Sequence, residues 1–191
     1  TGRTNNLTEG VSAVFANTEW DTPTDDFLPP HGFGGWVEDP GGVLLYDQFD
    51  VWRVTVDGSS AERLTRGAED LVVHRMLDLY PDQEAHNATE AYFTLRGEWS
   101  EDRGFAFWSE DTGYERRVLE SKNFRSVRKA DSVDVVVYRR ESRTDSPDLF
   151  VSNLVFANPT AVAESNPFMS EYAWTRTELV DYQNADGQRL H

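Results

Sequence analysis

The sequence contains no cysteine, only two lysines (Lys122 and Lys129) and two methionines among its 191 residues. Without cysteine there is no disulfide framework, no thiolate nucleophile and no cysteine-ligated zinc; the redox compartment stays open. No apolar run approaches the roughly 20 residues of a membrane-spanning helix, and no basic-then-apolar signal opens the chain. Helical spacing is also scarce. The best helical candidate, Thr89 to Leu95, is equally good as a strand.

What is abundant is acid and aromatic ring. Thirty-four Asp and Glu face 18 Lys and Arg, giving a formal charge of −16. A surface of that sign repels phosphate-rich partners, which argues against nucleic acid and anionic membrane surfaces. The bases are almost all Arg and more than half of the acids are Asp. A salt-adapted proteome produces this bias, because a dense carboxylate skin stays hydrated; drift in a high-GC genome produces it too. Aromatic residues make up 13% of the chain and apolar residues 38%, enough for a core and against wholesale disorder. The length suits one ordinary domain or one and a half. The chain opens on Thr1-Gly2-Arg3 without an initiator Met and closes on Leu190-His191, and so reads as a piece of something larger.

The periodicity is of strands. Val11–Phe15, Val43–Tyr46, Val51–Val56, Ala91–Leu95 and Val133–Tyr138 are short, β-branched or aromatic runs. Asp39-Pro40-Gly41-Gly42, Asp57-Gly58, Asp111-Thr112-Gly113 and Ser146-Pro147-Asp148 punctuate them as turns. Gly2 to Leu7-Thr8-Glu9-Gly10 reappears as Gly58 to Leu64-Thr65-Arg66-Gly67, with the Leu-Thr pairs 57 residues apart and weaker echoes further on. A unit of about 40–50 residues with four short strands is what a propeller blade requires, and such sheets stack because one alone leaves its faces bare. The expected fold is therefore all-β, a partial β-propeller of three to four blades of four-stranded antiparallel sheet. A β-sandwich with coincidental Leu-Thr pairs is the competing architecture.

Several phrases carry a family resemblance. Gly34-Gly35-Trp36-Val37-Glu38-Asp39, then Leu44-Leu45-Tyr46-Asp47-Gln48-Phe49-Asp50-Val51-Trp52-Arg53-Val54, then Gly58 and Arg63-Leu64-Thr65, form a Tyr-Asp, Asp-x-Trp strand that runs into a Leu-Thr-x-Gly turn. Lys129-Ala130-Asp131, Tyr138 to Ser142 and Ser146 to Val151 follow as a second such unit. Asn166-Pro167, Tyr172-Ala173-Trp174, Thr177 to Tyr182 and Asp186-Gly187-Gln188-Arg189-Leu190 close the chain. In this order they resemble the propeller of the prolyl-oligopeptidase family of serine peptidases, including its dipeptidyl-peptidase-like and acylaminoacyl-peptidase-like members. The stretches Trp36–Gly67 and Tyr138–Leu190 are the specific parts; Asp70–Arg128 matches in style alone.

The resemblance implies residues 1–165 as propeller blades and 166–191 as a closing strand and linker toward an α/β-hydrolase domain of the same parent chain. It implies that the Ser-Asp-His triad lies on that downstream domain, that the propeller admits short unstructured peptides, and that this segment carries no catalytic residue, cofactor or metal. In accord, no Gly-x-Ser-x-Gly elbow occurs in the chain. The paired Glu with which some members contact a substrate N-terminus is not found either.

Chemistry can still be sought residue by residue. His31 sits in a Pro-Pro-His-Gly loop, His74 in an apolar strand, His86 in an acidic loop and His191 at the terminus; none shows the i, i+4 spacing of a helical zinc pair, so structural roles are expected. Ser126-Val127-Arg128-Lys129 matches Ser-x-x-Lys but lacks the companion motifs of penicillin-recognising enzymes. The clusters Asp21, Asp25, Asp26 and Asp82, Glu84 offer hard-cation ligands or paired carboxylates, with a solvated surface as the default. Asn6-Leu7-Thr8 and Asn87-Ala88-Thr89 are N-glycosylation triplets usable only in a eukaryotic secretory route. Of the tryptophans, Trp36, Trp52 and Trp108 are expected to fill gaps between sheets, while Trp99 and Trp174 lie near loops and stay open to a binding role. Two rival functions remain: a stand-alone propeller-like interaction module, and a carbohydrate-binding β-sandwich using exposed Trp.

Overall fold

The computed structural model describes residues 4–22, 27–38 and 41–190. The protein is all-β. Among the described residues the strands form three four-stranded antiparallel sheets and a two-stranded hairpin, none of them closed on itself.

The first sheet comprises β1 (Phe33–Val37), β2 (Gly42–Tyr46), β3 (Val51–Val54) and β4 (Ala61–Arg63), in that spatial order. The second is β5 (Val72–Met76), β6 (Glu90–Gly97), β7 (Arg103–Ser109) and β8 (Gly113–Glu120). The third is β9 (Asn123–Lys129), β10 (Val135–Ser142), β11 (Asp145–Asn153) and β12 (Thr160–Ala163). The hairpin is β13 (Tyr182–Gln183) with β14 (Arg189–Leu190). Every strand of a four-stranded sheet lies beside its sequence neighbour, the simple meander that short connections favour. The short connections follow from turn chemistry. At Asp57-Gly58 the aspartate accepts from the Ser59 amide and hydroxyl, and Gly58 takes a φ of +72°. Gly113 does the same after Asp111-Thr112 with a φ of +71°.

The residues group into two compact units, one holding residues up to Leu95 with Phe105–Arg116, the other Arg96–Gly104 with residues from Arg117 on. In the first unit the core is built from Val43, Leu44, Val51, Val54, Leu64, Phe93 and Phe105. From Phe105 to Ser109, β7 is buried without alternation. Continuous burial marks a strand covered on both faces, unlike the half-wet strands at a sheet surface. In the second unit Val136, Tyr138, Phe150 and Phe156 form the core, with Tyr138 stacked on Phe150 at 5.9 Å and Arg140 lying 4.1 Å over the Phe150 ring. β4 and β12 are exposed along their lengths, as outer edge strands are.

The expected strands at Val43–Tyr46, Ala91–Leu95 and around His74 are present, and the helical candidate is strand from Glu90 to Leu95, with Thr89 in the bend before it. Three expectations are corrected. Val11–Phe15 is not a strand: pairing is limited to its end, where an isolated Ala16–Pro30 bridge is flanked by His31 N–H to the Phe15 carbonyl at 2.9 Å and Asn17 N–H to the Pro29 carbonyl at 2.7 Å. The run from Val133 enters its strand only at Val135. Ser146-Pro147-Asp148 is no turn but lies inside β11, and the reversal occurs at Arg143-Thr144. Pro147 is tolerated because β12 pairs only from Leu149 onward, and the β10 register shifts between Arg140 and Ser142, so no ladder bond is lost to the missing N–H. Asp39 and Pro40 of the expected turn lie outside the described residues; Gly41 after them takes a φ of +82°.

Candidate functional site

The motif residues of the first sheet converge on a clasp. Asp47, just past β2, accepts hydrogen bonds from the backbone amides of Phe49 at 2.9 Å and Asp50 at 2.6 Å, and from the Trp52 indole N–H at 2.8 Å. Those three bonds hold the β2–β3 reversal. Asp50, 1% exposed, then accepts from the Thr65 hydroxyl at 2.6 Å, the backbone amides of Gly67 and Ala68, and Arg63 Nε at 3.0 Å. The Thr65 hydroxyl in turn accepts from the Val51 amide at 3.0 Å. A buried carboxylate is stable only with such a donor set. Asp-x-Trp and Leu-Thr-x-Gly thus encode one joint between β3 and the turn after β4. Gly67 is obligatory there: a Cβ would lie 2.0 Å from the Val72 carbonyl oxygen and 2.8 Å from that of Phe49.

His74 seals the same joint from β5. It is fully buried, its amide donates to the Phe49 carbonyl at 2.8 Å, and its Nδ1 lies 2.8 Å from the Val72 carbonyl oxygen. A carbonyl only accepts, so Nδ1 carries the proton and Nε2 accepts from the Tyr114 hydroxyl at 2.7 Å. Burial pushes the imidazole below its usual titration range, with the hydrogen bonds to Val72 and Phe49 and the nearby Asp50 opposing. Burial likewise raises the Tyr114 phenol. Both groups are neutral at pH 7. They form a satisfied core pair, as expected for His74; Tyr114 carried no signal in the sequence beyond its place after Gly113.

His86 stands against the open side of β1. Its amide donates to the Trp36 carbonyl at 2.7 Å, its carbonyl accepts from the Glu38 amide at 2.9 Å, and its Nε2 lies 2.9 Å from the Gly34 carbonyl oxygen. The ring sits where a Cβ on Gly35 would be, 2.5 Å from Nε2, and Gly35 has a φ of +125° that side chains resist. Gly35 therefore admits His86 as a plug on the β1 edge, while Gly34 makes room for Leu44 and Tyr46. His31 is partly covered, and burial followed by Arg75 lowers its titration. Each described histidine is held by backbone or core partners. Among the described residues no serine hydroxyl bonds a histidine ring.

Trp108 is buried, with Arg53 5.0 Å over its ring, and Trp52 packs edge-on against Phe15 at 6.2 Å. Trp36 departs from expectation. It is 56% exposed and stands beside Phe33, itself 54% exposed, at 5.8 Å edge-to-face. The alternation of β1 turns Val37 inward and leaves Trp36 on the opposite face. Trp99 lies under Arg189 at 4.0 Å, while Trp174 is exposed and donates its indole N–H to the Met169 carbonyl at 2.6 Å.

The remaining candidates are dispersed. Ser126 sits at a register shift of β9 with a φ of +54°, and Lys129 Nζ bonds the Ala130 carbonyl at 2.8 Å, so Ser-x-x-Lys here spans a bulged strand and not the helix turn that chemistry needs. Asp21, Asp82 and Glu84 are exposed; Asp25, Asp26 and His191 lie outside the described residues. Among the described residues no three His, Asp or Glu side chains gather closely enough to hold a metal ion. In both glycosylation triplets the Asn Oδ1 accepts from the amide and hydroxyl of the Thr two residues on, an Asx turn. No helix among the described residues is long and apolar enough to cross a membrane. No protein-family model and no curated protein matches this chain.

Proposed function

We propose that the chain is a run of consecutive β-propeller blades from a serine peptidase of the prolyl-oligopeptidase type, ending at the junction to its hydrolase domain. Its role is to gate and position short peptides for a Ser-Asp-His triad carried downstream. One observation carries the reading: three four-stranded meanders follow one another in chain order, each strand beside its sequence neighbour. A sandwich distributes successive strands between two sheets, whereas stacked blades complete each sheet before starting the next.

Two details support it. The Asp50–Thr65 clasp joins the third strand of a sheet to the turn leaving its fourth, using the residues on which the family resemblance rests. The continuous burial of β7 suits a blade with a neighbour on each face. The hairpin of β13 and β14, turned through Ala185 and Asp186 with the Gly187 amide on the Asn184 carbonyl, fits the strand pair with which such enzymes enter the hydrolase domain.

On this reading the mechanism is exclusion. A ring of rigid sheets leaves an opening that an extended chain threads and a folded domain does not, and hydrolysis is left to groups outside these residues. The test is to express the parent reading frame extended past residue 191 by about 250 residues, the size of a hydrolase domain, and to treat it with a fluorophosphonate. Labelling of one serine beyond residue 191, with none in the 191-residue chain, is expected. An extended frame that does not label, or a stop codon directly after residue 191, overturns the peptidase reading in favour of an interaction module.

A further inference from the structure

The second unit holds a cleft of about 440 Å³ that the peptidase reading does not use. Three reversals of the chain line it: the β6–β7 turn through Ser100 and Glu101, the β8–β9 reversal through Ser121 and Lys122, and the β10–β11 turn through Arg143 and Thr144. The segment from Arg176 to Leu179 completes the lining.

Its charge runs against that of the chain. Arg103, Lys122, Arg143 and Arg176 meet there with a single lining carboxylate, Glu101, in a protein of charge −16. Three of the four cations have acidic partners: Arg103 Nη2 on Glu101 at 2.9 Å, Lys122 Nζ on Asp145 at 2.6 Å, and Arg176 on Glu178. Arg143 has neither an ion pair nor a hydrogen bond among the described residues.

These features select a ligand class. With Glu101, Asp145 and Glu178 counted against the four cations, the site keeps about one net positive charge, which suits a monoanion better than a dianion. The planar guanidinium fork matches a carboxylate. The rest of the lining is hydroxyl and amide side chains beside Leu179, groups that can meet a hydroxylated ligand. We propose that the cleft binds a small hydroxylated monocarboxylate, such as a sugar acid, with its carboxylate on Arg143 and its hydroxyls on the serine, threonine and asparagine side chains.

Calorimetric titration of the 191-residue chain tests this with gluconate, with sorbitol as the uncharged counterpart, and with inorganic phosphate. Gluconate is expected to bind with a dissociation constant of about 1 mM or tighter, and sorbitol and phosphate at least about tenfold more weakly. Arg143→Gln, in an exposed turn, should weaken gluconate by about tenfold or more, whereas Arg128→Gln, on β9 outside the lining, should leave it unchanged. Absence of gluconate binding, sorbitol binding equally well, or an unchanged Arg143→Gln overturns the proposal. Phosphate binding as tightly as gluconate overturns the carboxylate assignment. None of these outcomes bears on the serine labelling that tests the peptidase reading.

Discussion

Asp50 and Thr65, 15 residues apart in sequence, share a buried 2.6 Å hydrogen bond in which the threonine hydroxyl donates to the carboxylate. The same carboxylate takes the Gly67 and Ala68 amides and the Arg63 guanidinium. Its removal strands four donors at once. Asp50→Ala is expected to destabilise the first unit by about 3 kcal/mol or more, and Thr65→Val by about 1–2 kcal/mol. Urea denaturation followed by tryptophan fluorescence reads both. Because the two residues are partners, the double variant should lose clearly less than the sum of the singles.

Gly67 is held for space and Gly113 for backbone angle. A methyl at Gly67 meets the Val72 carbonyl oxygen at 2.0 Å, so Gly67→Ala should cost about 3 kcal/mol, at the upper end for overpacking. At Gly113 a methyl meets nothing within 4 Å, and only the φ of +71° opposes it. Gly113→Ala should therefore cost about 1 kcal/mol. Equal losses in thermal melts would contradict the packing described around Gly67.

The buried His74 gives stability a pH dependence of definite sign. Its folded-state titration lies below the ordinary 6.5, chiefly through burial, so the unfolded chain binds a proton more readily than the folded one. The stabilising neutral form is fully present above pH 6.5, and stability falls as pH drops from there toward the lowered folded value, below which the loss levels off. His31, shifted the same way, adds to the slope. Chemical denaturation at pH 8 and at about pH 5.5 should show a loss that His74→Gln reduces. A variant with an unchanged pH slope would place the titration elsewhere.

The exposure of Trp36 separates it from Trp108. Trp36→Ser should leave stability within about 0.5 kcal/mol of the parent, whereas Trp108→Ala should cost about 3–5 kcal/mol. The two equilibrium denaturation curves decide the matter directly. A large loss at Trp36 would mean that its ring is covered.

Strand character and turn chemistry were readable because each is local. Val43–Tyr46 and Ala91–Leu95 carry the β-branched and aromatic pattern, and Asp57-Gly58 is its own turn. The partners of Asp50 were readable only as a motif, since Thr65 and Gly67 reach it through the fold. Val11–Phe15 misled because a strand-like run needs a neighbour to pair with, and pairing is not local. Pro147 misled for the opposite reason: proline signals a turn unless the ladder beside it is already interrupted. Trp36 faces outward by the alternation of β1, whose inward face is fixed by Val37 and not by ring size. The cleft in the second unit was invisible because Arg103, Lys122, Arg143 and Arg176 come from separate turns and share no spacing.

The gating account is tested most directly by the extended parent protein acting on one peptide sequence in two settings. The substrate is presented once as a free short peptide and once inside a folded, stable domain, and cleavage is followed by mass spectrometry. Stacked blades that admit only extended chain predict cleavage of the free peptide and none of the folded domain until it is denatured. Equal cleavage of both forms would contradict the account.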